Sequence, residues 1–272
     1  MSQGGYFRHA EAVMGTVVSF LLGEDGLPFE KVLSATEAAA AELHRLDEIF
    51  SLYREESPMT RYRDGSLSEE ELPSEIPVVL ALCRQVREET GGYFDPWALP
   101  GGLDPSGLVK GWAVERAGAL LEAAGIAAGL VNGGGDMIAF GRPLGEKRWR
   151  VGIRHPWREE GLACVVDLEP GSSLATSGRY ERGEHLVNPR PGPPARRTAS
   201  ASVIGPSLAR ADAYATALSV AREPLRLSGM LPTGYESYLV FEDGAEEATR
   251  GFPFSSSVSD GDDPTEKAIT ET

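Results

Sequence analysis

From Pro28 to Phe50 the apolar positions Val32, Ala35, Ala39, Leu43, Leu46 and Phe50 recur at intervals of three and four. That spacing puts them on one face and predicts an amphipathic helix. Pro28 suits its first turn, where a missing N–H costs nothing. Ahead of it, Glu11 to Leu22 alternates loosely and is rich in Val, which predicts a strand. Ser51 to Asp64 is polar and turn-rich. Ser74 is expected to cap a second helix from about Pro77 to Glu89, ended by Gly91-Gly92. A loop from Tyr93 to Gly107 leads to a helix from about Gly111 to Ala124, stopped by Gly125. Strands are expected at about Ala128–Val131, Asp136–Phe140, Trp149–Arg154 and Cys164–Leu168, with a short strand and turn over Ser173–Tyr180. Beyond the Pro-rich stretch Asn188–Pro194 the pattern gives a strand at Ala199–Ile204 and a helix from Ser207 to about Ala221. A late strand at Ser237–Phe241 is closed by the turn Asp243-Gly244.

Strands and helices alternate without a regular βαβ repeat, so the expected class is α+β, an antiparallel or mixed sheet with helices packed on it. No Pro/Ser linker interrupts the body. One domain over residues 1–254 is expected, followed by a disordered acidic tail, Ser255–Thr272, with few large apolar residues. The 272 residues suffice for a sizeable core. A formal charge of −15 argues against general nucleic-acid binding, which needs clustered Lys and Arg. It leaves room for an anionic ligand in a locally positive pocket. The two cysteines, Cys83 and Cys164, sit among apolar neighbours and read as buried free thiols rather than a disulfide or zinc site. The first residues, MSQGGYFRHAEAVMGTVVSF, show no basic-then-apolar leader and no lipoprotein cysteine. With no run of about 20 apolar residues, a cytoplasmic location is expected.

Four constellations carry chemistry. Asp104, Gly107, Lys110 and Gly111 sit where a loop enters a helix. Lys110 can pair with a phosphate or a carboxylate, and Gly107 lets backbone approach a metal or phosphate closely. A tight loop with a solvated Lys fits equally. Asn132–Asp136, NGGGD, is either a hairpin turn or a backbone surface beneath a flat or charged ligand. Asp212 and Thr216 lie four apart on a helix, so their oxygens share a face. Alanines around them imply close packing, and such an oxygen pair suits Mg²⁺. The plain alternative is a surface Asp and a Thr bonding back to the preceding turn. His185, just after Thr176–Gly178, reads as a general base, a ring-stacking group or a structural histidine. His44, on the first helix, reads as a surface or packed histidine; His9 and His155 carry no assignment.

These segments, taken in order, resemble the ApbE-type family of FAD:protein FMN transferases. The resemblance rests on MGT at Met14–Thr16, LDEIFSLYREESPMTRYR at Leu46–Arg63, GGYFDP at Gly91–Pro96 and LDPSGLVKGWAVERA at Leu103–Ala117. It continues through NGGGD at Asn132–Asp136, ATSGRYER at Ala175–Arg182, HLVNPRPGPP at His185–Pro194 and ADAYATAL at Ala211–Leu218. It implies an ApbE-like, T-fold-like architecture. It also implies Mg²⁺-dependent transfer of FMN from FAD, the substrate, to a Thr or Ser hydroxyl of an acceptor flavoprotein, with release of AMP. By motif position, Met14, Tyr53, Tyr93, Phe94, Asp95, Asp104, Lys110 and Val187 would contact FAD, some through backbone. Asp212, Thr216 and the carbonyl of Gly107 would hold Mg²⁺. Lys110 and His185 are the catalytic candidates: Lys110 to neutralise charge, His185 to help deprotonate the acceptor or orient the phosphate. The chain departs from the family pattern at Asn188, Pro191, Trp97 and Leu108-Val109. An FAD pyrophosphatase giving FMN and AMP, and a flavin-binding protein without catalysis, are the competing functions.

Overall fold

The computed structural model describes residues 5–24, 26–99, 101–158, 160–178, 189 and 196–256. Where alternation over Glu11–Leu22 predicts one strand, the chain makes two. They are β1 (Tyr6–Val13) and β2 (Thr16–Gly23), paired antiparallel across Met14-Gly15. Both turn residues have positive φ, 55° and 70°, the backbone that lets a two-residue hairpin follow the twist of its strands. Met14 is the one described non-glycine residue in that region. Met-Gly is not a usual turn pair, which is why the apolar pattern runs through it unbroken.

The first helix, α1 (Phe29–Phe50), follows its apolar stripe. The polar stretch after it hides a short helix, α2 (Pro58–Arg63), started by Pro58 and capped by Ser57, whose Oγ accepts the Thr60 N–H at 3.1 Å. Next comes α3 (Glu75–Glu89). Ser74 does not cap it: its backbone is already helical and its hydroxyl donates to Glu75. The following helix, α4 (Ser106–Ala123), starts five residues before the expected Gly111, so Gly107 and Lys110 are helical rather than in a loop. Glycine's low helix propensity is overridden here by packing.

The remaining elements are β3 (Gly129–Gly133), β4 (Asp136–Phe140), β5 (Trp149–Arg154), β6 (Leu162–Leu168), β7 (Ser173–Gly178), β8 (Thr198–Gly205), α5 (Leu208–Val220), α6 (Pro224–Ser228), β9 (Glu236–Phe241) and β10 (Glu246–Ala248). Eight strands form one sheet in the order β1-β2-β3-β4-β7-β8-β9-β10, every neighbouring pair antiparallel. The hairpin β5–β6 forms a separate two-stranded sheet. The class is α+β, and the sheet is antiparallel rather than mixed.

Alternation along the strands builds a core on each face. Val18, Phe20, Leu22 and Val131 meet α1, α4 and α5 through Leu43, Leu46, Val114 and Leu208. Leu21, Leu130, Met137 and Leu174 meet Trp149, Val151 and Ile153 of β5 on the other. Two helices touch almost backbone to backbone: a Cβ on Gly111 of α4 would lie 2.6 Å from the Leu208 carbonyl oxygen of α5. That contact brings the first turn of α4 against α5.

Candidate functional site

The β3–β4 hairpin turns at Gly134-Gly135, both with positive φ (64° and 96°), and the Asn132 side chain accepts the Gly135 N–H at 2.8 Å. NGGGD is therefore a hairpin turn. Its two glycines also line a large cavity. Gly133 faces α4, where a Cβ would meet Val114 Cγ2 at 2.7 Å. Because α4 lies this close, the Lys110 ammonium reaches the hairpin. It pairs with the Asp136 carboxylate through Oδ2 and approaches the Gly133 carbonyl at 3.5 Å. Asp136 is fully buried, and its Oδ1 accepts the Thr176 N–H of β7 at 3.1 Å. Sequence reading missed Asp136. The signal was present in the acid ending NGGGD, but only the helix start before Lys110 shows that the two meet.

The second cluster lies one turn back along α4. Asp212, 3 % exposed, and Thr216 project from α5. A Cβ on Gly107 would sit 3.5 Å from Thr216 Oγ1 and 3.3 Å from the ring of Phe94. Glycine is thus what lets the α4 backbone meet the threonine hydroxyl. Ser177 of β7 adds a hydroxyl 3.2 Å from Thr216 Oγ1, a neighbour the sequence did not single out. The group is made of hard oxygens: one carboxylate, two hydroxyls and nearby backbone. This chemistry fits Mg²⁺ rather than a softer metal.

The cavity has a volume of about 1840 Å³ and is lined by Met14, Tyr53, Asp104 and Lys110 among the expected contacts. Tyr53 is almost wholly exposed, and Asp104 accepts the Ser106 N–H at the head of α4. Tyr93, Phe94 and Asp95 follow the Gly91-Gly92 turn and lie off the lining. Phe94 is buried beneath Gly107, and Asp95 is engaged by Arg87 at 2.6 Å and by the Trp97 N–H. Gly107, Asp212 and Thr216 are also off the lining. His185 and Val187 lie outside the described residues, as does nearly all of the expected tail.

Among the other titratable groups, His44 and His9 both bond Glu11, at 2.8 and 3.2 Å, and hold its carboxyl below the usual range. Cys83 is fully buried and Cys164, on β6, is partly buried, and burial pushes both thiols up to about 12. Neither thiol lines the cavity. At pH 8 both cysteines should react with a disulfide reagent far more slowly in native protein than in denaturant, since the thiolate is the reactive form. A fast native phase would contradict their assignment as inert packing residues.

The family model described as "ApbE family" matches residues 14–101 and 98–228. An FAD:protein FMN transferase of Rhodobacter capsulatus is 42 % identical over 129 residues, 44 % of this chain and 24 % of that protein. Another from Salmonella typhimurium is 32 % identical over 162 residues, 54 % of this chain and 46 % of that protein. The matches thus span less than half the length of these relatives. Among solved structures, the ApbE protein of Thermotoga maritima superposes with a TM-score of 0.78 at 23 % identity, covering 90 % of this chain and 97 % of that one. The flavinyl transferase ApbE of Pseudomonas stutzeri, in its apo form, gives 0.74 at 23 %, covering 92 % and 97 %. At that identity the likeness concerns the fold.

Proposed function

This chain belongs to the ApbE family, and from that premise we propose that it transfers FMN from FAD to a Thr or Ser hydroxyl of an acceptor flavoprotein, releasing AMP. The observation that supports the reading is the approach of Gly107 on α4 to Thr216 on α5, one helical turn from Asp212, with Lys110, three residues along α4 from Gly107, lining the cavity. Asp212, Thr216 and the Gly107 carbonyl would hold Mg²⁺, which when bound supplies positive charge against a diphosphate. Lys110 adds a second cation facing the cavity. Met14, Tyr53 and Asp104 line the space for FAD. Tyr93, Phe94 and Asp95 would contribute backbone, since the Phe94 ring and Asp95 carboxylate are engaged within the protein. Val187 completes the proposed contacts.

In the reaction the acceptor hydroxyl oxygen bonds to the FMN-side phosphorus. The bond from that phosphorus to the bridging oxygen breaks, and AMP leaves with the electron pair. The hydroxyl proton goes to a base, for which His185 is the candidate. Such a substitution needs positioning and charge neutralisation more than covalent help from the protein. The cavity exceeds the roughly 300–1,000 Å³ of a single small-molecule site, which supports entry of an acceptor segment beside the dinucleotide. No helix among the described residues is long and apolar enough to cross a membrane.

Mixing the protein with FAD, Mg²⁺ and an acceptor domain of the kind this family modifies should give a flavin-fluorescent acceptor band that EDTA abolishes. FMN and AMP appearing without a labelled acceptor would establish hydrolysis instead. Intact FAD throughout would sink catalysis altogether.

A further inference from the structure

We infer that Glu115 is a positioning residue: its carboxylate, reaching from α4 to the N-terminus of α5, fixes where Thr216 and Asp212 stand against Gly107. The inference rests on the proposed Mg²⁺ reading of those three residues. Glu115 belongs to the stretch Leu103–Ala117 but does not line the cavity, so whatever it does for a bound molecule it does through α5.

Ser207 stands at the N-cap of α5, with extended backbone and with its carbonyl accepting the Ala211 N–H at 3.0 Å. A serine in that place ordinarily turns its hydroxyl onto the first N–H groups of its own helix. This one makes no such bond. It donates instead to Glu115 Oε2 at 3.0 Å, and the same oxygen accepts the N–H of Ala209, the second residue of α5, at 3.2 Å. The cap of α5 is therefore supplied by α4. A carboxylate in that position is also favoured by the aligned peptide dipoles of the helix it caps.

A cap borrowed from a neighbour does what an internal one does not: it ties two helices in register. Gly107, Gly111 and Glu115 follow one another at intervals of four, so they share a face of α4. α5 meets that face with Thr216 at Gly107, with Leu208-Ala209 at Gly111 and with Ser207 and Ala209 at Glu115. The contact at Gly111 sets how near the helices come, but packing against a bare glycine has no direction along the axis. The two hydrogen bonds to Glu115 do have direction, and they do not survive a slide of one helical turn, about 5.4 Å. Of the three contacts on this face, the one at Glu115 fixes the slide that leaves Thr216 opposite Gly107.

Glu115→Ala removes the tie, and Glu115→Ala with Ser207→Asp restores a cap from within α5 while leaving α4 unattached. Amide exchange on peptides across the first turn of α5, recorded without flavin or Mg²⁺, is the first readout. Glu115→Ala should speed it at least about tenfold; unchanged protection overturns the inference. The second is the Mg²⁺ midpoint of the flavin-fluorescence change in the presence of FAD, each variant first checked for a cooperative melt. Glu115→Ala should raise that midpoint about ten- to a hundredfold. The double variant should recover protection of the turn and melting temperature, yet keep the raised midpoint. A midpoint that returns to the wild-type value with the internal cap would show that Glu115 only stabilises a helix end, and would overturn the inference. So would a wild-type midpoint in Glu115→Ala itself. A wild type with a protected first turn and bound FAD, but with fluorescence indifferent to Mg²⁺, would instead overturn the metal reading and leave the cap standing without that role.

Discussion

Asp212→Ala is expected to lower FAD turnover by at least about a thousandfold, which is about 4 kcal/mol of barrier. Asp212 supplies the one formal negative charge among the three groups proposed to hold Mg²⁺. Without it the cluster keeps only the Thr216 and Ser177 hydroxyls, 3.2 Å apart, and the Gly107 backbone. Neutral oxygens alone hold a strongly hydrated divalent cation poorly. Asp212→Asn keeps the shape and removes the charge, so it should lose nearly as much activity while melting close to the wild type. The measurement is AMP release by chromatography across a Mg²⁺ titration. A partial recovery at high Mg²⁺ would be expected for Asn and not for Ala. Unchanged turnover in Asp212→Ala would show that the metal site has been placed on the wrong residues.

The elements most legible in the sequence were those whose pattern reports burial. The stripe on α1 and the apolar runs of β4, β5 and β9 gave boundaries within a residue or two. What misled was chain geometry decided by tertiary contact. Met14 adopts a left-handed backbone that its side chain does not favour, so the β1–β2 turn left no mark. Gly107 looked like a loop glycine and Gly111 like a helix start because propensity is local, whereas their role is to admit a threonine hydroxyl and a neighbouring helix. The site showed the same division. The spacing of Asp212 and Thr216 on one helix announced an oxygen pair, because helix periodicity alone sets it. The Lys110–Asp136 pair joins residues 26 apart in the chain, through an approach of α4 to β3 that no local pattern encodes. Ser177 stayed invisible for the same reason. Asp104, Met14 and Tyr53 line the cavity because three separate turns converge at one end of the sheet.

That dependence on close approach makes Gly111→Ala the sharpest test of how the site is assembled. In an ordinary helix interior, exchanging Gly for Ala gains about 1 kcal/mol from propensity and a less disordered unfolded chain. At Gly111 the added methyl would fall 2.6 Å from the Leu208 carbonyl oxygen, 3.0 Å from its carbon and 3.2 Å from Ala209 Cα. All three are backbone atoms, so no rotamer change can relieve the contact and the two helices must move apart. Overpacking of this kind costs about 1–3 kcal/mol, which for a domain of this size lowers Tm by roughly 2–12 °C. The loss should exceed the propensity gain, so the sign of the effect reverses. Separation of α4 from α5 also pulls Gly107 away from Thr216 and Asp212. Turnover should therefore fall even well below Tm, chiefly as a weaker response to Mg²⁺. A Gly111→Ala protein that melts at or above the wild-type temperature would show that the helices are not packed backbone to backbone, and the account of why Gly107 can reach the oxygen pair would fall with it.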